Sequence, residues 1–176
     1  ERMAWVAQAL ETLPGSGIVY CLTVAAAEAL AAFLQQRGQR VRAYTGALPA
    51  DERAAIEGQL RDNELKAVVA TSALGMGYDK PDLGFCIHVG APDSPVSYYQ
   101  QVGRAGRALD SAVGVLLAAP DLEQGIWEYF ATAAIPSQDH ADRVLAALGD
   151  GSGPLTLPGL EAATGWLRGD GPTEVA

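Results

Sequence analysis

Short apolar runs rich in β-branched residues alternate with helical patterns over residues 1–130 of this 176-residue chain. This alternation is typical of a parallel sheet with crossover helices, because parallel neighbours need a long connection between them. Runs that are apolar throughout indicate strands that are covered on both faces. We therefore expect an α/β fold with five core strands, at residues 18–22, 40–44, 65–71, 84–89 and 113–118.

The pattern also predicts how the chain is divided. Residues 1–135 form the α/β domain, with a lead-in helix at 3–13 and a core at 17–131. Residues 136–176 form a small helical extension, in which a helix, a glycine-rich turn and a second helix could be part of a winged-helix unit. Because the chain begins at Glu1 and its last eight residues show no periodicity, we expect it to be a piece of a longer protein.

Charge is distributed unevenly along the chain. Residues 1–109 hold 10 basic and 11 acidic side chains, whereas residues 110–176 hold 2 and 10, which together give the net charge of −9. An acidic total argues against indiscriminate adhesion to DNA, which depends on neutralising phosphates. A local nucleic-acid contact in the near-neutral first part remains open.

Two cysteines, Cys21 and Cys86, are too few for a disulfide scaffold or a four-cysteine zinc site, and we expect no metal site in this chain. Both lie in apolar runs, so we expect buried free thiols in a reducing cytoplasm. His88 also lies in a strand pattern and is expected to be a hydrogen-bonded core histidine. No apolar run reaches the roughly 18–20 residues that a membrane span needs, so no membrane partner is expected.

The run from residue 70 to 82, ATSALGMGYDKPD, follows a predicted buried strand. Its side chains therefore emerge at the carboxyl edge of a parallel sheet, where open α/β sheets bind ligands. Gly75 and Gly77 allow the backbone to approach a ligand closely. Asp79 can accept from a ribose hydroxyl and Thr71 can donate to a phosphate. The alternative is a glycine-rich connection with solvated polar residues.

A second segment, SYYQQVGRAGR at residues 97–107, places two arginines three residues apart beside small residues. The planar guanidinium group matches phosphate oxygens and stays charged wherever it lies. Aimed at a γ-phosphate, Arg104 or Arg107 would stabilise charge that develops in phosphoryl transfer. The alternative is a pair of solvated loop arginines that pair with the acidic end of the chain.

Taken together, the two segments resemble the second RecA-like domain of superfamily 2 helicases, and in particular the RecQ family. The pattern QxxGRxGR is similar to the family's motif VI, residues 70–82 to its motif V, and residues 18–23 to its motif IV. The resemblance spans residues 17–118 in the correct order. It implies a RecA-like sheet flanked by helices, in the motor of an ATP-dependent DNA helicase that tracks 3′ to 5′.

The resemblance also implies roles for individual residues. Arg107 would be the arginine finger, Arg104 a neighbouring γ-phosphate contact, and Gln100 a link between nucleotide and DNA. The glycines and the acid of the two motifs would face the nucleotide: Gly75, Gly77, Asp79, Gly103 and Gly106. Residues at the strand ends would lie along the single-stranded DNA track: Thr23, Tyr44, Thr71 and Ser72.

The sequence departs from the family's pattern at three points. Many RecQ proteins have asparagine where Asp79 stands, and the usual Tyr-His-Ala-Gly-Leu reads YTGAL at residues 44–48. The family's zinc-binding cysteine cluster is also absent from this stretch.

No Gly-Lys pair of a P-loop occurs, since Lys66 follows Leu65 and Lys80 follows Asp79. The expected cofactors are ATP and Mg²⁺, which would be bound mainly by an N-terminal RecA-like domain of the same protein. That domain and DNA are the expected partners. The isolated chain is therefore expected to hydrolyse no ATP. The parent would act in the bacterial cytoplasm, at the nucleoid. Two alternatives stay open: the C-terminal domain of an RNA helicase, or a non-catalytic RecA-like scaffold that binds a protein partner.

Overall fold

A computed structural model describes residues 1–74, 78–133, 138–149 and 156–165. The chain divides into two compact units, Glu1–Gln124 and Gly125–Ala176. The predicted boundary between residues 135 and 136 falls outside the described residues, so the predicted domain limits stay a prediction.

The first unit is built on five strands, and every pairing between them is parallel. The strands are β1 (Ser16–Cys21), β2 (Val41–Tyr44), β3 (Ala67–Ala70), β4 (Leu83–Val89) and β5 (Val113–Leu117). Their order across the sheet is β2-β3-β1-β4-β5. The predicted fold class is thereby confirmed, and each of the five predicted strands overlaps an observed one.

Helices separate most of the strands and continue into the second unit. They are α1 (Arg2–Thr12), α2 (Val24–Gln35), α3 (Ala50–Arg61), α4 (Pro95–Val102), α5 (Pro120–Ala133), α6 (Gln138–Gly149) and α7 (Leu157–Thr164). In the part of the chain that the structure describes, no helix is long and apolar enough to cross a membrane.

Side-chain caps set the starts of two helices at the carboxyl edge of the sheet. Thr23 Oγ1 accepts from the Ala26 amide at 3.2 Å where α2 begins. Ser94 Oγ accepts from the Ser97 amide at 3.1 Å where α4 begins, and Pro95 occupies the first turn of that helix. Both arrangements satisfy amides that a helix start leaves without partners. The start of α4 is thus well defined, which matters for the arginines that follow it.

The two faces of the sheet carry separate cores. On one face, side chains of β1, β3 and β4 pack against Val6 and Leu10 of α1 and Leu30 and Leu34 of α2. We call this the helical face. The opposite face is covered by α3, by the inner side of α4 and by the connection at residues 71–82, and we call it the loop face.

The connection at residues 71–82 leads from β3 to β4 and crosses β1, because β1 lies between those two strands. The described residues of this connection form turns and no helix, although such crossovers are usually helical. Leu74 and Tyr78 bury it against the loop face. The connection therefore returns the chain to the amino edge of the sheet, so that Asp79 comes close to the start of β4.

A buried carboxylate ties together several segments of the first unit. Glu123, 2% exposed, pairs with the guanidinium group of Arg2. It also accepts from the amides of Ala91 at 3.1 Å and Ala119 at 3.0 Å. The start of the chain and the loops after β4 and β5 thus share one anion.

In the second unit, α6 and α7 pack against each other. Arg143 donates to the Thr164 carbonyl at 3.1 Å and pairs with Asp139 at 2.9 Å. These helices agree with the predicted helical extension. Residues 150–155, where we expect the turn and strand step of a partial winged helix, lie outside the described residues.

Candidate nucleotide and nucleic-acid site

The two predicted motifs come together at the amino edge of the sheet. The Gly106 amide donates to the Leu83 carbonyl at 2.9 Å, and the Ala108 amide donates to the Pro81 carbonyl at 2.8 Å. Arg107 Nη1 lies 2.9 Å from Asp79 Oδ1. Segments that are more than twenty residues apart in the sequence therefore form one continuous surface.

Arg107 presents its charge to solvent. Its side chain is 50% exposed, and that of Asp79 is 62% exposed. Its Nε donates to the Gly103 carbonyl at 3.1 Å, which orients the guanidinium group beside the last turn of α4. An exposed ion pair of this kind contributes no more than about 1 kcal/mol. Arg107 can therefore exchange its carboxylate partner for a phosphate at low cost.

Arg104 is placed differently from Arg107, although the sequence surrounds both with the same residue types. It is only 9% exposed, and its Nη1 donates to the Tyr78 carbonyl at 2.9 Å. Its Nε is buried and has no hydrogen-bond partner. The guanidinium group also faces Tyr20, where it opposes the burial that raises the pKa of that phenol. Arg104 thus holds the connection against the sheet in this structure.

The local geometry leaves no room for a side chain at either glycine of motif VI. A Cβ at Gly103 would lie 2.9 Å from the Tyr99 carbonyl oxygen. Gly106 has φ of +78°, a conformation that other residues rarely adopt, and a Cβ there would lie 2.9 Å from Ala112 Cβ. Both residues therefore shape the turn that ends in Arg107. Gly75 and Gly77 lie outside the described residues.

Gln100 is exposed on α4, the helix that leads into the turn carrying Arg107. The stripe of α4 that holds Gln100 also carries Val96, Tyr99 and Gly103, which are all exposed. The inner side of the helix faces the loop face of the sheet. The helix thus separates residues that solvent can reach from residues that hold it in place.

The predicted DNA-track residues all lie near the carboxyl edge, where Tyr20 and Tyr44 both register with Ala70. Thr23 and Ser72 are exposed there, whereas Thr71 is 8% exposed. Tyr44 is 4% exposed, and its hydroxyl donates to Glu57 Oε1 at 2.5 Å. Burial and the Glu57 carboxylate raise the pKa of Tyr44 to about 12.

Two buried polar residues, Thr45 and His88, and the half-buried Gln101 have no predicted role in the site. Thr45 is 1% exposed, and its hydroxyl has no partner. His88, as expected for a core histidine, is fully buried, and its Nε2 lies 2.9 Å from Gln101 Oε1. Two sequence features indicate this pair. One is a histidine within an apolar strand, and the other is a second glutamine directly after Gln100.

Cys21 and Cys86 are buried free thiols, as predicted, and burial raises the pKa of each to about 12. They are therefore protonated and shielded in the folded chain. Among the described residues, no group of three or more His, Cys, Asp or Glu side chains is placed to hold a metal ion.

A cavity of about 600 Å³ opens near the starts of β1, β3 and β4, with Arg40, Lys66, Asp82 and Asp110 in its lining. Lys66 Nζ donates to the carbonyls of Leu13 and Gly15. Burial, and to a lesser extent Arg40, lowers the pKa of Lys66. This ammonium group therefore holds the turn before β1.

Comparison with known proteins identifies the family of this chain. The family described as helicase conserved C-terminal domain matches residues 1–109. The chain is 39% identical over 121 residues to the probable ATP-dependent DNA helicase RecS of Bacillus subtilis, covering 68% of this chain and 24% of that protein. It is 35% identical over 184 residues to the ATP-dependent DNA helicase RecQ of Synechocystis, covering 94% of this chain and 37% of that protein.

Among solved structures, the chain is similar to the helicase Lhr of Mycobacterium smegmatis, which was solved bound to single-stranded DNA and AMP-PNP. The TM-score is 0.62 at 25% identity, covering 93% of this chain and 24% of that chain. The chain thus spans between a quarter and two fifths of the length of these curated relatives. From the matching family, the motifs and the sheet, we conclude that the chain belongs to the helicase conserved C-terminal domain family, on the RecQ-like branch of superfamily 2.

Proposed function

We propose that this chain is the C-terminal motor domain of an ATP-dependent DNA helicase that tracks 3′ to 5′. An N-terminal RecA-like domain of the same protein and single-stranded or forked DNA are its partners, in the bacterial cytoplasm at the nucleoid. The names of the relatives support this proposal, since RecS and RecQ are both described as ATP-dependent DNA helicases.

The pairing of Arg107 with Asp79 is the observation that carries the proposal. It sets a phosphate-binding guanidinium group 2.9 Å from a carboxylate that can accept from sugar hydroxyls. A guanidinium group donates to phosphate oxygens, and a carboxylate accepts from ribose hydroxyls. The two side chains together therefore match the polar groups of a nucleotide. ATP with Mg²⁺, held mainly by the N-terminal domain, supplies the γ-phosphoryl group for transfer to water. Arg107 binds that group as the finger, and Asp79 and the motif glycines face the sugar.

Arg104 and Gln100 complete the site from either side of Arg107. Arg104 keeps a buried Nε without a hydrogen-bond partner, and a small shift of the connection at 71–82 brings it to the γ-phosphate. Gln100, exposed on α4, links the nucleotide to the DNA track. Closure of the two motor domains around nucleotide, and their reopening after hydrolysis, then move the DNA by a step.

The carboxyl edge of the sheet forms part of the DNA track. The exposed hydroxyls of Thr23 and Ser72 donate to backbone phosphates, and Thr71 and Tyr44 support them from just below the surface. Hydroxyl contacts of this kind hold a strand without reading its sequence. This suits a motor that has to move along any sequence.

The chain is inactive alone in this proposal, because its sequence has no Gly-Lys pair to cradle the β- and γ-phosphates. The test therefore uses the longer protein and compares DNA-stimulated ATP turnover of wild type with Arg107→Ala. We expect a loss of about 10³-fold or more, because removing a finger removes stabilisation of transition-state charge. Arg37→Ala, which removes an exposed arginine at the end of α2, is the matched control and should retain full turnover.

Two other outcomes would each replace the proposal. Stimulation by RNA that exceeds stimulation by DNA would indicate an RNA helicase. Turnover that is unchanged in Arg107→Ala, together with weaker binding of a protein partner, would indicate a scaffold. ATP hydrolysis by the purified chain itself would contradict the division of labour between two domains.

A further inference from the structure

A polar cluster around a buried histidine lies between β4 and the inner side of α4, and neither motif assigns a role to its residues. At its centre is His88, whose ring is fully buried. The ring stacks on Tyr20 of β1, with centroids 5.3 Å apart and planes at 20°. Tyr98 of α4 also contacts the ring, with centroids 4.9 Å apart and planes at 51°. Two aromatic rings thus pack against the histidine and restrict its rotation.

Gln101 makes two contacts with β4 from the inner side of α4. Its Oε1 lies 2.9 Å from His88 Nε2, and its main-chain carbonyl accepts from the Cys86 thiol at 3.6 Å. Burial lowers the pKa of His88, so the ring is neutral at neutral pH. We assign the proton to Nε2, so that the ring donates to Oε1 of the amide. The pair is therefore a single directional bond between a strand and a helix.

The direction of this bond matters because α4 has only eight residues. Besides the Tyr98 ring and the Gln101 carbonyl, its inner contacts come from Val102 and from Ala105 just beyond its end, which are apolar and permit sliding or rotation. Each residue of an α-helix advances by 100° around the axis. A small rotation of α4 about its axis would therefore turn the Gln100 side chain to a different direction. It would also shift the point at which the following turn begins.

We propose that His88 and Gln101 are positioning residues, whose hydrogen bond fixes the rotation of α4 and thereby the aim of Gln100 on its outer side and of Arg107 in the turn that follows it. This inference rests on the proposed function, because it assigns to the pair the task of aiming the finger. Neither residue touches the nucleotide. Both act through the helix, and misplacement of a catalytic group by about 1 Å can lower turnover by about 100-fold.

The test measures DNA-stimulated ATP turnover in the longer protein with variants that remove the bond from either partner. Gln101→Met keeps the length of the side chain and removes the acceptor. His88→Phe keeps a ring against the two tyrosines and removes the donor. We expect each to lower kcat by about 10- to 100-fold, with the KM for ATP changed less than about threefold. Gln101→Glu keeps an acceptor and should recover most of the activity.

Gln35→Met is the matched control, because Gln35 makes a comparable 2.8 Å side-chain bond to the Val41 carbonyl far along the sheet. It should retain wild-type kcat, and the melting temperatures of the two variants separate a loss of stability from a loss of aim. The decisive comparison adds Gln101→Met to Arg107→Lys, which keeps the charge and leaves measurable turnover. If the bond acts by aiming the finger, Gln101→Met lowers kcat much less in the Arg107→Lys variant than in the wild-type protein.

An equal loss from Gln101→Met in both backgrounds would overturn the inference, as would a loss no larger than that of Gln35→Met. If Gln101→Met fails to fold, His88→Phe decides by the same criteria. Failure of the proposed function would look different, since Arg107→Ala would then leave turnover unchanged whatever Gln101 does.

Discussion

The helical face and the loop face of this sheet are closed in different ways. On the helical face, two regular helices pack through side chains such as Leu10, Leu30 and Leu34, all buried and apolar. On the loop face, irregular segments are tied down by polar atoms: Tyr20 donates to the Leu74 carbonyl at 3.5 Å, and Arg104 donates to the Tyr78 carbonyl. The segments that carry the two motifs lie on the face with the polar ties.

This difference has a physical reason. Hydrophobic burial is strong but not directional, so it stabilises a helix without fixing its exact rotation or the path of a loop. Hydrogen bonds in a buried environment are directional, and leaving one unmade is costly. A face that has to aim functional groups therefore gains from polar ties, whereas a face that only has to stay closed does not.

The largest effect on stability should come from the helical face. Leu30→Ala removes a side chain that is 2% exposed and should lower the free energy of unfolding by about 2–5 kcal/mol, because it leaves a cavity. Urea unfolding of the chain measures this loss. Turnover per folded molecule of the longer protein should stay at the wild-type level. A fall in kcat as large as that of Gln101→Met would show that the two faces are not separate in function.

A pair of tyrosines offers a matched test within the loop face. The Tyr20 hydroxyl has a partner, whereas the Tyr78 hydroxyl is buried without one. Tyr20→Phe should therefore destabilise the chain by about 1 kcal/mol, and Tyr78→Phe should leave it unchanged or slightly more stable. Thermal unfolding of both variants measures the difference. Equal losses in the two variants would mean that the hydroxyl bonds do not hold the connection.

A smaller effect should appear as a dependence of stability on pH. Burial lowers the pKa of His88 below its ordinary value of about 6.5, so the unfolded chain binds a proton that the folded chain excludes. The excluded proton does not affect stability above about pH 6.5. Below that pH it lowers the free energy of unfolding, by at most about 1.4 kcal/mol per pH unit. His88→Phe should lose less stability than wild type between pH 7.5 and 5.5. If the stability of wild type and of His88→Phe falls equally with pH, a group other than His88 causes the pH dependence.

Periodicity was enough to predict the five strands, because parallel strands that are covered on both faces are apolar along their whole length. Strand limits shifted where pairing decided them: β1 begins at Ser16 rather than residue 18, since Gly17 registers with Ala67. The order of the strands has no local signal, because it depends on which connection crosses which strand.

The site was predictable to the level of motifs and no further. The sequence surrounds Arg104 and Arg107 with the same residues, yet one is buried beneath the connection and the other is exposed. Only two residues lie between them, and the turn at Gly106 is enough to place the two side chains in different surroundings. Tyr44 is likewise predicted from its place at a strand end, but the side of the sheet on which it lies depends on its pairing with β3.

The buried carboxylate of Glu123 bears on how this unit can be cut out of a longer protein. Its cation comes from Arg2, and two of its amide donors come from Ala91 and Ala119. A recombinant fragment trimmed past residue 2 would keep the anion and lose its counter-charge, at a cost of about 3–5 kcal/mol. Expression boundaries for this unit therefore have to lie before residue 2 and after residue 123, so that the cation and the carboxylate stay on one fragment.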